Sequence, residues 1–158
     1  MQNKIMKFAV SILICQMAGI VGLFFTTSAI PVWYNTLNKP FFNPPSWVFG
    51  PVWTILYAMM GISFFLIWTN KSQVPKKRQA IIVFFTQLLL NAIWSPIFFG
   101  MRSPFTGLVV IIILWIFILL TMFNFYKISK TAGLLLIPYF IWVSSATILN
   151  FSIWQLNF

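Results

Sequence analysis

The chain has 158 residues, 61% hydrophobic, 20% aromatic and only 6% charged, with ten Lys and Arg against no Asp, no Glu and no His, for a net charge of +10. A mean hydropathy of +0.96 is far from that of a soluble domain and points to an all-α membrane protein. The absent carboxylates and imidazoles exclude carboxylate or histidine acid–base catalysis, metal sites built from those ligands, and the standard nucleophile triads.

In chain order, the first apolar run covers residues 5–29, long enough to cross a hydrocarbon core at about 20 residues per span. A cleaved signal peptide is the rival reading, but no short polar cleavage region follows. Ser11, Cys15, Ala18, Gly19 and Gly22 recur at helical spacing as a ridge of small residues, suited to close helix approach within the bundle or between two copies. Cys15, the lone cysteine, reads as a small packing residue. Residues 31–53, PVWYNTLNKPFFNPPSWVFGPVW, are aromatic yet broken by five prolines. Each proline lacks an N–H and pushes its predecessor toward extended geometry, so this stretch is expected to form a rigid lid over a helix bundle.

The second run, 47–68, carries Trp53, Tyr57, Phe64 and Trp68 on one stripe, either bundle core or the wall of a site. A polar linker, TNKSQVPKKRQ, is expected at 69–79. In the third run, 80–100, Gln87, Asn91 and Trp94 stand at i, i+4 and i+7. Amides within a span must face the protein interior. For Asn91 the readings of interhelical bond and ligand contact stand side by side, while Gln87 reads as an interhelical bond. Pro96 interrupts the end of this run. After a tight turn at 101–104, the fourth run, 105–126, has no polar residue between Thr106 at its start and Thr121 and looks lipid-facing or dimer-facing. The fifth run, 132–156, sets Tyr139, Trp142, Ala146, Asn150 and Trp154 on one face. The small Ala146 leaves room there for a flat molecule.

Five spans put the amino terminus and the second and fourth connectors on one side. That side carries eight basic residues, Lys4, Lys7, Lys71, Lys76, Lys77, Arg78, Lys127 and Lys130, against Lys39 and Arg102 on the other. Charges placed between apolar runs serve topology rather than nucleic acid. By the positive-inside rule the amino terminus is expected in the cytoplasm and the Trp-rich connector outside, in a bacterial cell membrane.

The strings WYNTLNKPFFNPPSWVFGPVWTILYAMMG, TQLLLNAIWSPIFFG and IPYFIWVSSATILNFSIW, in this order, closely resemble the TspO/MBR family, the tryptophan-rich sensory and translocator (peripheral benzodiazepine receptor) proteins. The resemblance runs from Trp33 to Trp154. It implies a five-transmembrane-helix bundle, often a homodimer, whose first connector closes a cavity for porphyrins and for isoquinoline or benzodiazepine-type ligands. Carried over by motif, the ligand-binding residues are Trp33, Tyr34, Trp53 and Tyr57 from the first string, Asn91 and Trp94 from the second, and Trp142, Ala146 and Asn150 from the third.

Protoporphyrin IX or haem is the expected ligand rather than a required cofactor. With no His, and Cys15 as the only thiol, a haem iron lacks its usual strong ligands apart from a Tyr, which favours the metal-free porphyrin. Lys39 reads either as a partner for a propionate or as an ordinary interface lysine. Trp53 and Trp142 are also candidates for light-driven porphyrin degradation, an activity the family implies. A lipid-binding or scaffolding role is the third alternative. The chain departs from the family pattern at Ser46, where a basic residue is common, and at Ala92, where a Trp is common. Phe151 and Gln155 replace the Tyr and Arg of the proposed cholesterol pattern, so cholesterol binding is not supported.

Overall fold

The computed structural model describes residues 2–71 and 74–158. Helix α1 spans Gln2–Ala29. The connector follows with a single 3-10 turn at Tyr34–Thr36. Then come α2 (Ser46–Thr69), α3 (Val74–Ser95), a π-helical turn at Pro96–Gly100, α4 (Pro104–Ile128), a short α5 (Lys130–Leu134) and α6 (Ile137–Asn157). Five segments are long and apolar enough to cross a membrane. Among the described residues there is no strand.

Prolines set several boundaries. The Pro44–Pro45 pair ends the extended connector, and α2 begins at Ser46 with Pro45 as its N-cap. The expected linker at 69–79 is shorter than its polarity suggests. Helix α3 already starts at Val74, and Pro75 sits in its first turn, where a missing N–H costs nothing; Ser72 and Gln73 lie outside the described residues. The fifth run is likewise two helices, since α5 ends at Leu134 and α6 restarts just before Pro138. The ring of Pro138 cannot tolerate the helical carbonyl one turn earlier.

Helix α1 packs on α2 and α3, and α4 on α3, α5 and α6. The small-residue ridge of α1 serves internal packing: Ser11, Cys15 and Ala18 are buried. A Cβ on Gly19 would strike the Tyr57 ring at 2.6 Å, and one on Gly61 would meet the Cα of Ile12 at 2.8 Å. Helix α4 is not a purely lipid-facing element. One face, Leu108, Ile111, Leu114, Ile118 and Phe125, is buried, which an all-apolar run cannot reveal because both faces look alike. In the half of the bundle away from the connector, Phe84 is sandwiched between Phe64 at 5.0 Å and Phe125 at 5.4 Å, with rings nearly parallel.

Hydroxyls on the exposed faces fold back onto their own helices, as with Thr27 to the Leu23 carbonyl at 2.8 Å, Thr86 to Ile82 at 3.0 Å and Ser152 to Ile148 at 2.9 Å. Each is thereby satisfied in hydrocarbon. Without carboxylates, lysines cap carbonyls instead. Lys77 Nζ donates to Trp68 O at 2.6 Å and Asn70 O at 3.0 Å, closing the C-terminal end of α2 where orphan carbonyls carry partial negative charge.

Candidate functional site

At the connector end the helices part around a cavity of about 410 Å³, within the range of small-molecule sites. Its walls come from every long helix except α4. Helix α2 supplies Trp53 and Tyr57, stacked at 5.4 Å, and the Phe49 ring, edge-on to Trp142 at 6.1 Å. Helix α3 supplies Asn91 and Trp94, α6 supplies Trp142, Ala146 and Asn150, and the connector supplies Tyr34. Eight of the nine residues expected from the sequence therefore share one wall system.

The ninth, Trp33, does not line the cavity. Its ring packs edge-on behind the wall, 5.6 Å from Phe98 and 6.5 Å from Phe99. Trp33 is the N-cap of the 3-10 turn and Tyr34 its first residue, and Tyr34 is turned inward. Burial pushes the Tyr34 hydroxyl up to about 12, so it remains a donor and bonds Asn43 Oδ1 at 2.7 Å. Lys39 donates to Tyr34 O at 2.8 Å and Leu37 O at 3.0 Å and lies 4.9 Å over the Tyr34 ring. It stiffens the connector and is not part of the cavity wall. Reciprocal bonds fasten that connector to α6: Asn38 N to Asn157 Oδ1 and Asn157 Nδ2 to Asn38 O, both 2.9 Å.

The polar residues of the wall are mostly spent on other groups of the protein. Tyr57 donates to Asn91 Oδ1 at 2.5 Å, Asn91 Nδ2 donates to the Tyr139 oxygen at 2.7 Å, and Tyr139 donates to Gln87 Oε1 at 2.9 Å. This chain ties α2, α3 and α6 together, so the bonds of Asn91 and Gln87 are interhelical ones. Trp94 Nε1 donates to Gly107 O at 3.1 Å, and Asn150 Nδ2 donates to Pro104 O at 2.8 Å. The close approach of α4 depends on Gly107, whose Cβ would meet Phe98 at 2.8 Å. What these residues present to the cavity is mainly ring face.

One donor is left over. Trp142 Nε1 is the only buried side-chain polar atom without a hydrogen-bond partner among the described residues. An unmade buried bond costs about 1–3 kcal/mol, and the indole that carries it borders the cavity.

Two parts of the wall escaped the sequence reading. The π-helical turn, closed by Met101 N to Pro96 O at 2.9 Å, buries both Phe98 and Phe99. Adjacent residues facing inward break the helical stripe, and Pro96 was the only signal. In α1, Gln16, Gly19, Leu23 and Thr26 also line the cavity, as does Ile30 just beyond the end of the helix. Their spacing is helical, but it runs beside the more conspicuous small-residue ridge.

The comparisons with known proteins agree with this architecture. The TspO/MBR family model matches residues 11–155. Tryptophan-rich protein TspO of Chlorobaculum tepidum is 46% identical over 157 residues, covering 99% of each chain. The protein of the same name from Archaeoglobus fulgidus is 46% identical over 154 residues, 98% of this chain and 99% of that one. The Homo sapiens translocator protein is 38% identical over 126 residues, 79% of this chain and 75% of that one. With five membrane-capable helices, four of which wall an aromatic cavity, this chain is a multi-pass integral membrane protein that belongs to the TspO/MBR family.

Proposed function

We propose that the protein is a membrane receptor or transporter for a tetrapyrrole, protoporphyrin IX in the first instance, and that it acts in porphyrin traffic or a stress response. The observation that carries this reading is a cavity walled by indole, phenol and phenyl rings, one of which, Trp142, carries a buried N–H without a partner. A large π-system gains from offset or edge-on contacts with such rings, and an acceptor on the guest satisfies the indole N–H. Flat isoquinoline or benzodiazepine-type molecules meet the same requirements. The names of relatives, translocator protein and tryptophan-rich sensory protein, are in keeping with carriage or sensing.

The metal-free ring suits the cavity better than haem. Cys15 is buried in the packed core and is not among the lining residues, and the hydroxyls of Tyr34 and Tyr57 are already donating to Asn43 and Asn91. The test is a titration of detergent-solubilised protein with protoporphyrin IX, followed by quenching of tryptophan fluorescence. Saturable one-site quenching is expected, and its absence refutes the reading. We also propose a cytoplasmic amino terminus on the eight-to-two division of basic residues. Reporters fused to each end check it, and an active periplasmic reporter at the amino terminus reverses the orientation.

A second reading is favoured by the stacking of Trp53 on Tyr57 and its edge contact with Tyr139 at 6.2 Å. Oxidisable rings lie side by side there, as light-dependent porphyrin degradation requires. Following porphyrin absorbance with the protein in light and in darkness separates this activity from binding alone.

A further inference from the structure

Gly50 and Gly61 lie eleven residues apart in α2, about three helical turns, and therefore share a face. Their surroundings are opposite. A Cβ on Gly61 would meet Ile12 Cα at 2.8 Å and Ser11 O at 3.0 Å, whereas one on Gly50 would find nothing within 4 Å. Helices α1 and α2 thus touch backbone to backbone at one end and splay apart toward the connector. The closed part of the seam ends where Gln16 Nε2 bonds Thr54 O at 3.0 Å. Beyond that bond the gap is bordered by Ile20, Leu23 and Thr27 of α1 and by Trp47 and Gly50 of α2, all of which also border the cavity. Leu23 is 55% exposed and Trp47 75% exposed, so the cavity opens sideways at the level of the spans. Thr27 bonds its own helix, so that hydroxyl adds no bare polar group to the rim.

The end of the cavity beneath the connector is held shut by the paired Asn38–Asn157 bonds, the Tyr34–Asn43 bond and the carbonyl contacts of Lys39. We infer that the α1–α2 gap is a lateral port through which an apolar guest passes directly between the hydrocarbon of the bilayer and the cavity, with the bare backbone of Gly50 keeping it open. This rests on the reading that the cavity binds a flat apolar ligand. Passage through the port leaves the guest in apolar surroundings throughout, whereas passage through the connector would carry it into water and break fixed hydrogen bonds.

The test uses the full chain in lipid nanodiscs, mixed rapidly with vesicles carrying protoporphyrin IX, with tryptophan quenching followed in both directions. Gly50→Phe fills the gap from a helical position without positive φ, and association and dissociation rates are expected to fall together by about tenfold or more. Leu23→Trp, on the opposite rim, is expected to do the same and serves where Gly50→Phe does not fold. Asn157→Ala, which loosens the connector, is expected to leave both rates unchanged. Unaltered rates in both rim variants, or faster exchange in Asn157→Ala, overturn the port while leaving binding intact. Absence of any equilibrium quenching in the wild type instead removes the binding reading, and the port with it.

Discussion

Around Phe84 the rings of α2, α3 and α4 lie parallel at 5.0 and 5.4 Å and fill the space between helices. Around Trp142 an equally aromatic set from α2, α3, α6 and the connector encloses a cavity. Aromatic content does not decide between the two. The solid half is built from phenylalanines with their flat faces stacked, beside the small ridge of α1 that lets backbones close up. The hollow half is built largely from tryptophans and tyrosines, two of which have their polar ends anchored to other helices, which holds those rings as walls and keeps them from collapsing inward. Trp94 is fixed by Gly107 O and Tyr57 by Asn91. Hydrogen bonds at the rims of these two rings therefore help hold a hole open where dispersion alone would close it.

Substitutions in the two halves should then separate stability from binding. Phe84→Ala is expected to have the largest effect, a loss of about 3 kcal/mol of stability, at the low end for such a truncation because lipid offers no hydrophobic transfer term between helices. Denaturant titration in matched detergent reads it, and porphyrin affinity of the folded fraction should be unchanged. A parallel loss of affinity would show that the halves are coupled. Asn91→Ala, at the boundary, strands the hydroxyl of Tyr57, while that of Tyr139 keeps its bond to Gln87, and should cost about 1–3 kcal/mol. Adding Tyr57→Phe should recover part of that loss, since one stranded donor is then removed.

Trp142→Phe keeps the ring face but deletes the unpartnered donor, and is expected to weaken porphyrin binding by about 0.5–1.5 kcal/mol. Trp53→Phe should weaken it less. Any light-dependent loss of porphyrin absorbance should slow in both variants at matched occupancy, and equal rates in all three proteins would remove the tryptophans from that chemistry. The smallest effect is expected for Trp33→Phe, whose ring backs the wall without lining it; an unchanged titration curve checks this.

The sequence already carried the five spans, the aromatic connector and most of the cavity, because amides and tryptophans are costly in lipid and their helical spacing is conspicuous against Leu and Ile. What it hid has physical reasons. Pro75 looks like a linker residue until it is placed in a first turn, and Pro138 looks tolerable inside a span. The cavity face of α1 is written in Ile20 and Leu23, which lipid would accept equally well. Trp33 and Tyr34 are neighbours in a motif, and only the 3-10 turn that starts at Tyr34 within the connector decides that one faces the cavity and the other its backing.

The lysines that rest on backbone carbonyls, Lys39 on Tyr34 and Leu37 and Lys77 on Trp68 and Asn70, have a consequence for how the protein meets acid. With no carboxylate and no imidazole in the chain, it lacks the side chains whose ordinary titration falls between about pH 3 and 7. The usual route of acid unfolding, protonation of paired carboxylates, is closed to it. Nor are there carboxylate side chains to form ion pairs that salt could screen. A guest bearing carboxylates would then be the main titrating partner in the complex over that range, so the acid limb of its binding curve would read the ionisation of the guest itself inside the cavity.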